Sequence, residues 1–162
     1  MAIPIKSLLL AGLGGIAGLL ALSMAVQGVM SHERPNTLGL ADGKLRPCPP
    51  GSKNCVCSEA GSPGFIEPFA LTVDAHAGLD RVAAEIRSMP RARVIAQEQD
   101  YLHAEYTSLI FRFVDDVELR LDPRARLVHV RSASRVGKGD LGVNRKRIEE
   151  LRARLQSAGT IR

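Results

Sequence analysis

The sequence predicts an α+β domain over residues 65–158, with an antiparallel sheet of about five strands and two helices in the order β-α-β-β-β-β-α, preceded by an N-terminal transmembrane helix. Three observations carry this. Between residues 93 and 131, apolar and polar residues alternate in short runs joined by short links. That is the period-2 pattern of half-buried strands, and the tight links favour antiparallel pairing. On either side, residues 77–89 and 144–157 place apolar residues at helical spacing. Ahead of all of it, Ser7 to Met30 contains no charged residue.

That apolar run comes first in the chain. At about 1.5 Å per residue it would make a helix of roughly 36 Å, enough for a hydrocarbon layer of roughly 30 Å with some tilt. Gly12, Gly14, Gly15 and Gly18 are better tolerated in membrane helices than in soluble ones. A buried soluble helix rarely stays apolar for so long without a polar face. Two readings remain. One is an uncleaved anchor over residues 1–30, touching the membrane through residues 7–30. The other is a signal peptide, with Lys6 in its positive region and Ser23-Met24-Ala25 as a small-x-small cleavage site. The run exceeds the roughly 7–15 residues of a signal core, which favours the anchor. Lys6 before it, against His32, Glu33 and Arg34 after it, leans towards a cytoplasmic amino terminus. The expectation is a single-pass protein of the inner (cytoplasmic) membrane with its domain on the periplasmic side, or a protein secreted to the periplasm if the segment is cleaved.

Residues 31–64 read as a Pro/Gly-rich linker with little regular structure. Pro35, Pro47, Pro49, Pro50 and Pro63 break helices, and the interspersed glycines add turns. All three cysteines, Cys48, Cys55 and Cys57, lie here. Cys48 and Cys55 enclose a short Pro/Gly turn able to bring their Cα atoms to within about 4.4–6.8 Å, so a disulfide is the simplest account. Such a bond persists outside the cytoplasm and leaves Cys57 over. Zinc fits less well, because paired C-x-x-C spacing is missing and the nearest histidines are His32 and His76. C-x-C is not the thioredoxin-type C-x-x-C either.

In the body, Phe65 to Val73 reads as an edge strand, because Pro68 has no N–H for a ladder. A helix over about Ala77–Met89 follows, with Leu79, Val82, Ala83 and Ile86 on one face and Pro90 ending it. Strands are expected at Arg93–Glu98, Tyr101–Tyr106 and Val117–Leu121, with Ile110–Val114 leading into the last of these. Asp122-Pro123-Arg124 is a turn signal, and Leu127–Arg131 is the last strand. The final helix, about Asn144–Ser157, carries Ile148, Leu151 and Leu155 as its stripe, with Gly159 near its end.

Composition narrows the function classes. Trp is absent and aromatics make up 4%, which argues against a stacking platform for single strands. The formal charge is +5, and acidic residues are interleaved with the basic ones, as in Arg147-Ile148-Glu149-Glu150. A nucleic-acid stripe is therefore not expected. No G-x-G-x-x-G or P-loop is present, and no motif calls for a cofactor or metal.

The densest polar stretch runs from Arg131 to Arg147. Its glycines permit left-handed backbone, and Asp140 or Asn144 can cap the last helix. Upstream, Asp115 and Asp116 are adjacent carboxylates within reach of Arg135 or Arg147 across the sheet. Cys48-Pro49, Asn54-Cys55-Val56, Phe113-Val114-Asp115-Asp116, Arg131-Ser132-Ala133-Ser134-Arg135-Val136-Gly137 and Asp140-Leu141-Gly142-Val143-Asn144-Arg145 with Arg147 together strongly resemble domain of unknown function family 1499 (DUF1499), over about residues 45–156. The resemblance implies a domain of bacteria and plastids, often behind a membrane or export segment, and assigns no chemistry. Cys57 stands where the family pattern leads us to expect Ser.

Three readings of the loop follow. In the first, Asp115 and Asp116 neutralise Arg135 and Arg147 while Asp140 and Asn144 tie the loop down. In the second, Arg135 and Arg147 clamp a small anion bidentately, with Ser132, Ser134 and the helix N-terminus donating. In the third, Ser132 or Ser134 is the nucleophile of an envelope hydrolase, with His129 or Lys138 as base. A cation on Asp115, Asp116 and Asp140 would compete with the nearby arginines. The sequence thus favours a membrane-tethered binding or structural interaction module for an envelope partner, with the hydrolase as the alternative.

Overall fold

The computed structural model describes the backbone of residues 5–162 and the side chains from residue 15 onward. The first element is α1 (Ile5–Met30). Residues 7–14 of the expected anchor lie outside the described side chains. Among the described residues, no helix is long and apolar enough to cross a membrane.

The rest is a mixed α+β fold. In chain order it comprises β1 (Leu40–Ala41), β2 (Lys44–Leu45), β3 (Cys55–Cys57), β4 (Phe69–Ala70), α2 (Ala75–Ser88), β5 (Ala92–Gln97), β6 (Tyr101–Thr107), β7 (Val114–Asp122), β8 (Leu127–Ser134) and α3 (Val143–Ser157). Strands β5 to β8 form an antiparallel meander. The far edge of β8 is shared by two short strands. β3 pairs its second half (Cys55↔Ala133) and β4 its first (Phe69↔Val128).

Four boundaries differ from expectation, each for a local reason. The strand expected over 65–73 shrinks to β4, because Pro68 offers no N–H to the ladder. Residues 110–113 form no strand. Ser108 closes the β6–β7 loop, its N–H donating to Phe113 O and its Oγ accepting from Phe113 N–H at 2.8 and 2.9 Å. β8 runs on to Ser134, since β3 supplies a partner for its second half. The stretch 31–64, expected to have little regular structure, contributes β1, β2 and β3 and buries Leu45, Cys48 and Val56.

The helices start and stop where their residues dictate. Asp74 caps α2 by accepting from Ala77 N–H at 3.1 Å. Met89 turns extended ahead of Pro90. Both helices pack on one face of the sheet, against Leu102, Val117, Leu119, Leu121, Val128 and Val130, burying Val82, Ile86, Ile148 and Leu151 completely. Full burial of each such side chain contributes roughly 1.5–3 kcal/mol.

The other face of the sheet is charged. Strand alternation points Asp116, Glu118 and Arg120 of β7 and His129 and Arg131 of β8 away from the helices, and Arg135, just past the end of β8, joins them through Asp116. This face is nevertheless buried, with Glu118 1% and Asp116 2% exposed. Residues 31–62 cover it. A second, smaller apolar cluster of Leu45, Cys48, Cys55, Cys57 and Ala133 lies under that cover. Cys48 and Cys55 form the expected disulfide, with Cα atoms 5.7 Å apart, and Cys57 is a free buried thiol.

Candidate functional site

The residues singled out between Asp115 and Arg147 separate into two networks on opposite faces of the sheet. Asp115 and Asp116 are adjacent in β7, so their side chains leave on opposite sides.

On the helix face, Asn144 is the hub. It lies in the first turn of α3, is completely buried, and accepts at Oδ1 from Ser132 Oγ at 2.6 Å and from Arg147 Nη1 at 2.7 Å. Its Nδ2 shares two hydrogens among Asn54 O, Ser134 Oγ and Asp140 Oδ2, at 2.8–3.0 Å. Arg147 donates from Nη2 to Asp115 Oδ2 at 2.6 Å and lies over the Tyr106 ring. Asp140 accepts from the Gly142 and Asn144 N–H groups, the capping role expected of it. Gly142 itself sits in left-handed backbone at φ 80°.

On the covered face, Arg135 donates bidentately to Asp116, at 2.8 Å from Nε and 2.6 Å from Nη2, and from Nη2 to Glu105 at 2.6 Å. His103 Nε2 lies 2.8 Å from Asp116 Oδ1. A carboxylate only accepts, so this nitrogen carries the proton. Burial pushes the Asp116 carboxyl up, but the hydrogen bonds from Arg135 and His103 outweigh that and hold it below its ordinary 3.8. Glu105 follows the same pattern, with Arg135 and Arg34 overcoming its burial. Further along, Glu118 accepts from Gly39 N–H, Tyr101 OH and Arg131 Nη1 at 2.7–2.9 Å. Burial and the Glu118 charge raise the Tyr101 phenol far above its ordinary value. Glu59, carried on the covering segment, accepts from Arg120 Nε at 2.9 Å.

This geometry corrects the anion clamp. Arg135 and Arg147 cannot close on one ligand, because the sheet separates them and each already holds a carboxylate. The serine nucleophile fares no better. Ser132 is completely buried, with Asn144 and Arg147 as its side-chain partners, and Ser134 Oγ accepts from Asn144. His129 lies on the opposite face, where its Nδ1 is 3.3 Å from Ser58 Oγ and 3.8 Å from Glu59, and Lys138 is exposed. His103, Glu105 and Asp116 offer three ligand atoms within 4.8 Å of one another, a donor set of cation-binding type. The Arg135 guanidinium fills the space between the two carboxylates and supplies the positive charge there.

Sequence reading passed over Asn54, His103, Glu105, Glu118 and Glu59. For His103, Glu105 and Glu118 the signal was present as polar and charged residues at every second position of β6 and β7; Asn54 and Glu59, in the Pro/Gly-rich stretch, carried no such pattern. Alternation of that kind ordinarily marks a solvated face.

A cavity of about 310 Å³ opens where α1 meets the body. Its apolar walls are Met24, Phe113, Val136, Leu141 and Val143, and its floor includes Asp115, Ser134 and Asp140. The floor groups are committed to Arg147, Asn144 and the α3 N-terminus. The sequence model of the family described as "Protein of unknown function (DUF1499)" matches residues 44–155. No curated protein and no solved structure matches the chain.

Proposed function

Since the chain belongs to the DUF1499 family, whose description assigns no chemistry, we propose from its geometry that it is a membrane-tethered binding module of the cell envelope. It is anchored once in the inner membrane through residues 7–30, with the body on the periplasmic side. The observation that carries this reading is the junction of α1 with the body. Ser31, immediately after α1, is completely buried. Its Oγ accepts from Val114 N–H at 2.9 Å and its carbonyl from Arg135 Nη1 at 3.1 Å. The apolar segment thus enters the body as a fixed strut. Beyond the junction, Ile16, Leu19, Leu20 and Leu22 are each 59–69% exposed, a surface that water disfavours and lipid accepts. The disulfide supports an oxidising compartment. A binding role is preferred to a catalytic one because the polar groups near the cavity are already paired.

Alkaline extraction of membranes from cells making the full chain tests the anchor. The chain is expected in the pellet at its unprocessed mass, and recovery in the supernatant, or loss of the first 25 or so residues, would overturn it. Alkylation before and after reduction tests the side of the membrane. Cys48 and Cys55 are expected to label only after reduction.

A further inference from the structure

We infer that the two loops beside the α1 junction, residues 108–113 and 136–143, are a membrane-docking surface that lies in the interface of a bilayer bearing anionic headgroups. This rests on the tethered reading above and goes beyond it, since a tether alone leaves the orientation of the body open.

Both loops present apolar side chains outward. Leu109 is 69% exposed, Ile110 77% and Leu141 105%, so Leu141 stands open to solvent at the mouth of the cavity it lines. These are the three most exposed large apolar side chains of the body. Neither loop is slack. Ser108 closes the first through its two bonds to Phe113. Asp140 pins the second to the start of α3. Each also holds a non-glycine residue in left-handed backbone, Arg112 at φ 59° and Leu141 itself at φ 54°. Such backbone is disfavoured for a leucine, and here it displays an apolar side chain to water.

The place of these loops says what covers them. β7 begins and β8 ends at this end of the sheet (Asp115↔Ser134), and α1 joins the body here. The Phe111 carbonyl rests against Gly28, where a Cβ would overlap it. Leu141 and Val143 share the cavity wall with Met24. The loops therefore flank the last two turns of α1, continuous with its exposed apolar surface. From Met24 to Met30 a helix advances about 9 Å, which matches the roughly 5–10 Å depth at which interfacial apolar groups sit. Arg112 and Lys138 are exposed in the same loops, suited to anionic headgroups at that depth.

The chain has no Trp, so single introduced tryptophans report cleanly. The full chain would be reconstituted into phosphatidylcholine–phosphatidylglycerol vesicles, with and without brominated acyl chains, carrying Leu19→Trp, Ile110→Trp, Leu141→Trp or Ala125→Trp in turn. Ala125 lies in the β7–β8 turn, at the opposite end of the sheet. Blue-shifted emission that is lost in brominated vesicles is expected for Leu19→Trp, Ile110→Trp and Leu141→Trp, and unchanged emission for Ala125→Trp. Quenching at position 19 with water-exposed emission at 110 or 141 would overturn the docking surface and leave the tether standing, pointing to a protein occupant instead. Absence of quenching at position 19 would overturn the tether, and the docking surface with it.

Discussion

The two faces of the sheet are buried by different means. The helix face is closed by Leu, Val and Ile side chains, whose attraction is non-directional and scales with the area removed from water. The opposite face is closed by residues 31–62 over a layer of charges, Asp116, Glu118, Arg131 and Arg135 among them. Charges can be buried only when each meets its partner, so this face tolerates few arrangements. Nearly every polar atom of the layer has a partner, and Arg131 Nε is the buried exception. The apolar face holds the larger hydrophobic cluster, and the charged face ties the N-terminal segment to the sheet. Arg135 links the two tasks by holding Asp116, Glu105 and the Ser31 carbonyl together.

That difference can be broken from either side. The largest effect is expected from Asp116→Ala, which takes the bidentate partner from Arg135 and the acceptor from buried His103, leaving Arg135 only Glu105 and backbone carbonyls; urea unfolding should show a loss of about 3–5 kcal/mol. Leu119→Ala, on the opposite side of the same strand and completely buried, should cost about 2–5 kcal/mol through the cavity it leaves. Its loss should leave the cover in place, so protection of the Gly39 amide, which donates to Glu118, should survive in hydrogen exchange. Cys48→Ser with Cys55→Ser opens a short loop and should cost roughly 2.5 kcal/mol by chain entropy, measured by melting with and without reductant. Acid should loosen the charged face selectively. Asp116 and Glu105 titrate below their ordinary 3.8 and 4.5, so their contribution is complete above those values and fades as pH falls through the lower folded ones. Burial depresses His129 below 6.5 and outweighs the attraction of Glu59, so the unfolded chain takes up that proton first and acid again favours unfolding. A stability profile that rose on acidification below pH 6.5 would contradict both.

The helix face was legible in the sequence because it rests on periodicity alone. Leu79, Val82, Ala83 and Ile86 in one helix, with Ile148, Leu151 and Leu155 in the other, are buried as their spacing implies. The Cys48–Cys55 pair was legible from loop length. The charged face was not. The alternation of Asp116, Glu118 and Arg120 shows that they share a face, but it cannot show that a Pro/Gly-rich segment far away in sequence folds over them. Pro and Gly announce turns equally well in a free tether and in an ordered cover. The site was half legible for the same reason. Asp115, Arg147, Asp140 and Asn144 were identifiable as one polar stretch, yet the face-splitting of Asp115 and Asp116 depends on β7 running unbroken through both, and the sequence had placed that strand's start at Val117.

The covered charged face is part of the fold, with Arg135 tying the cover to the sheet. Thermal melting of full-chain Arg135→Ala beside wild type, in the same detergent, tests it most directly. Loss of about 3–5 kcal/mol should lower Tm by roughly 6–20 °C in a chain of this size. A variant that melted with wild type would contradict the claim and return Arg135 to the role of a ligand-binding residue.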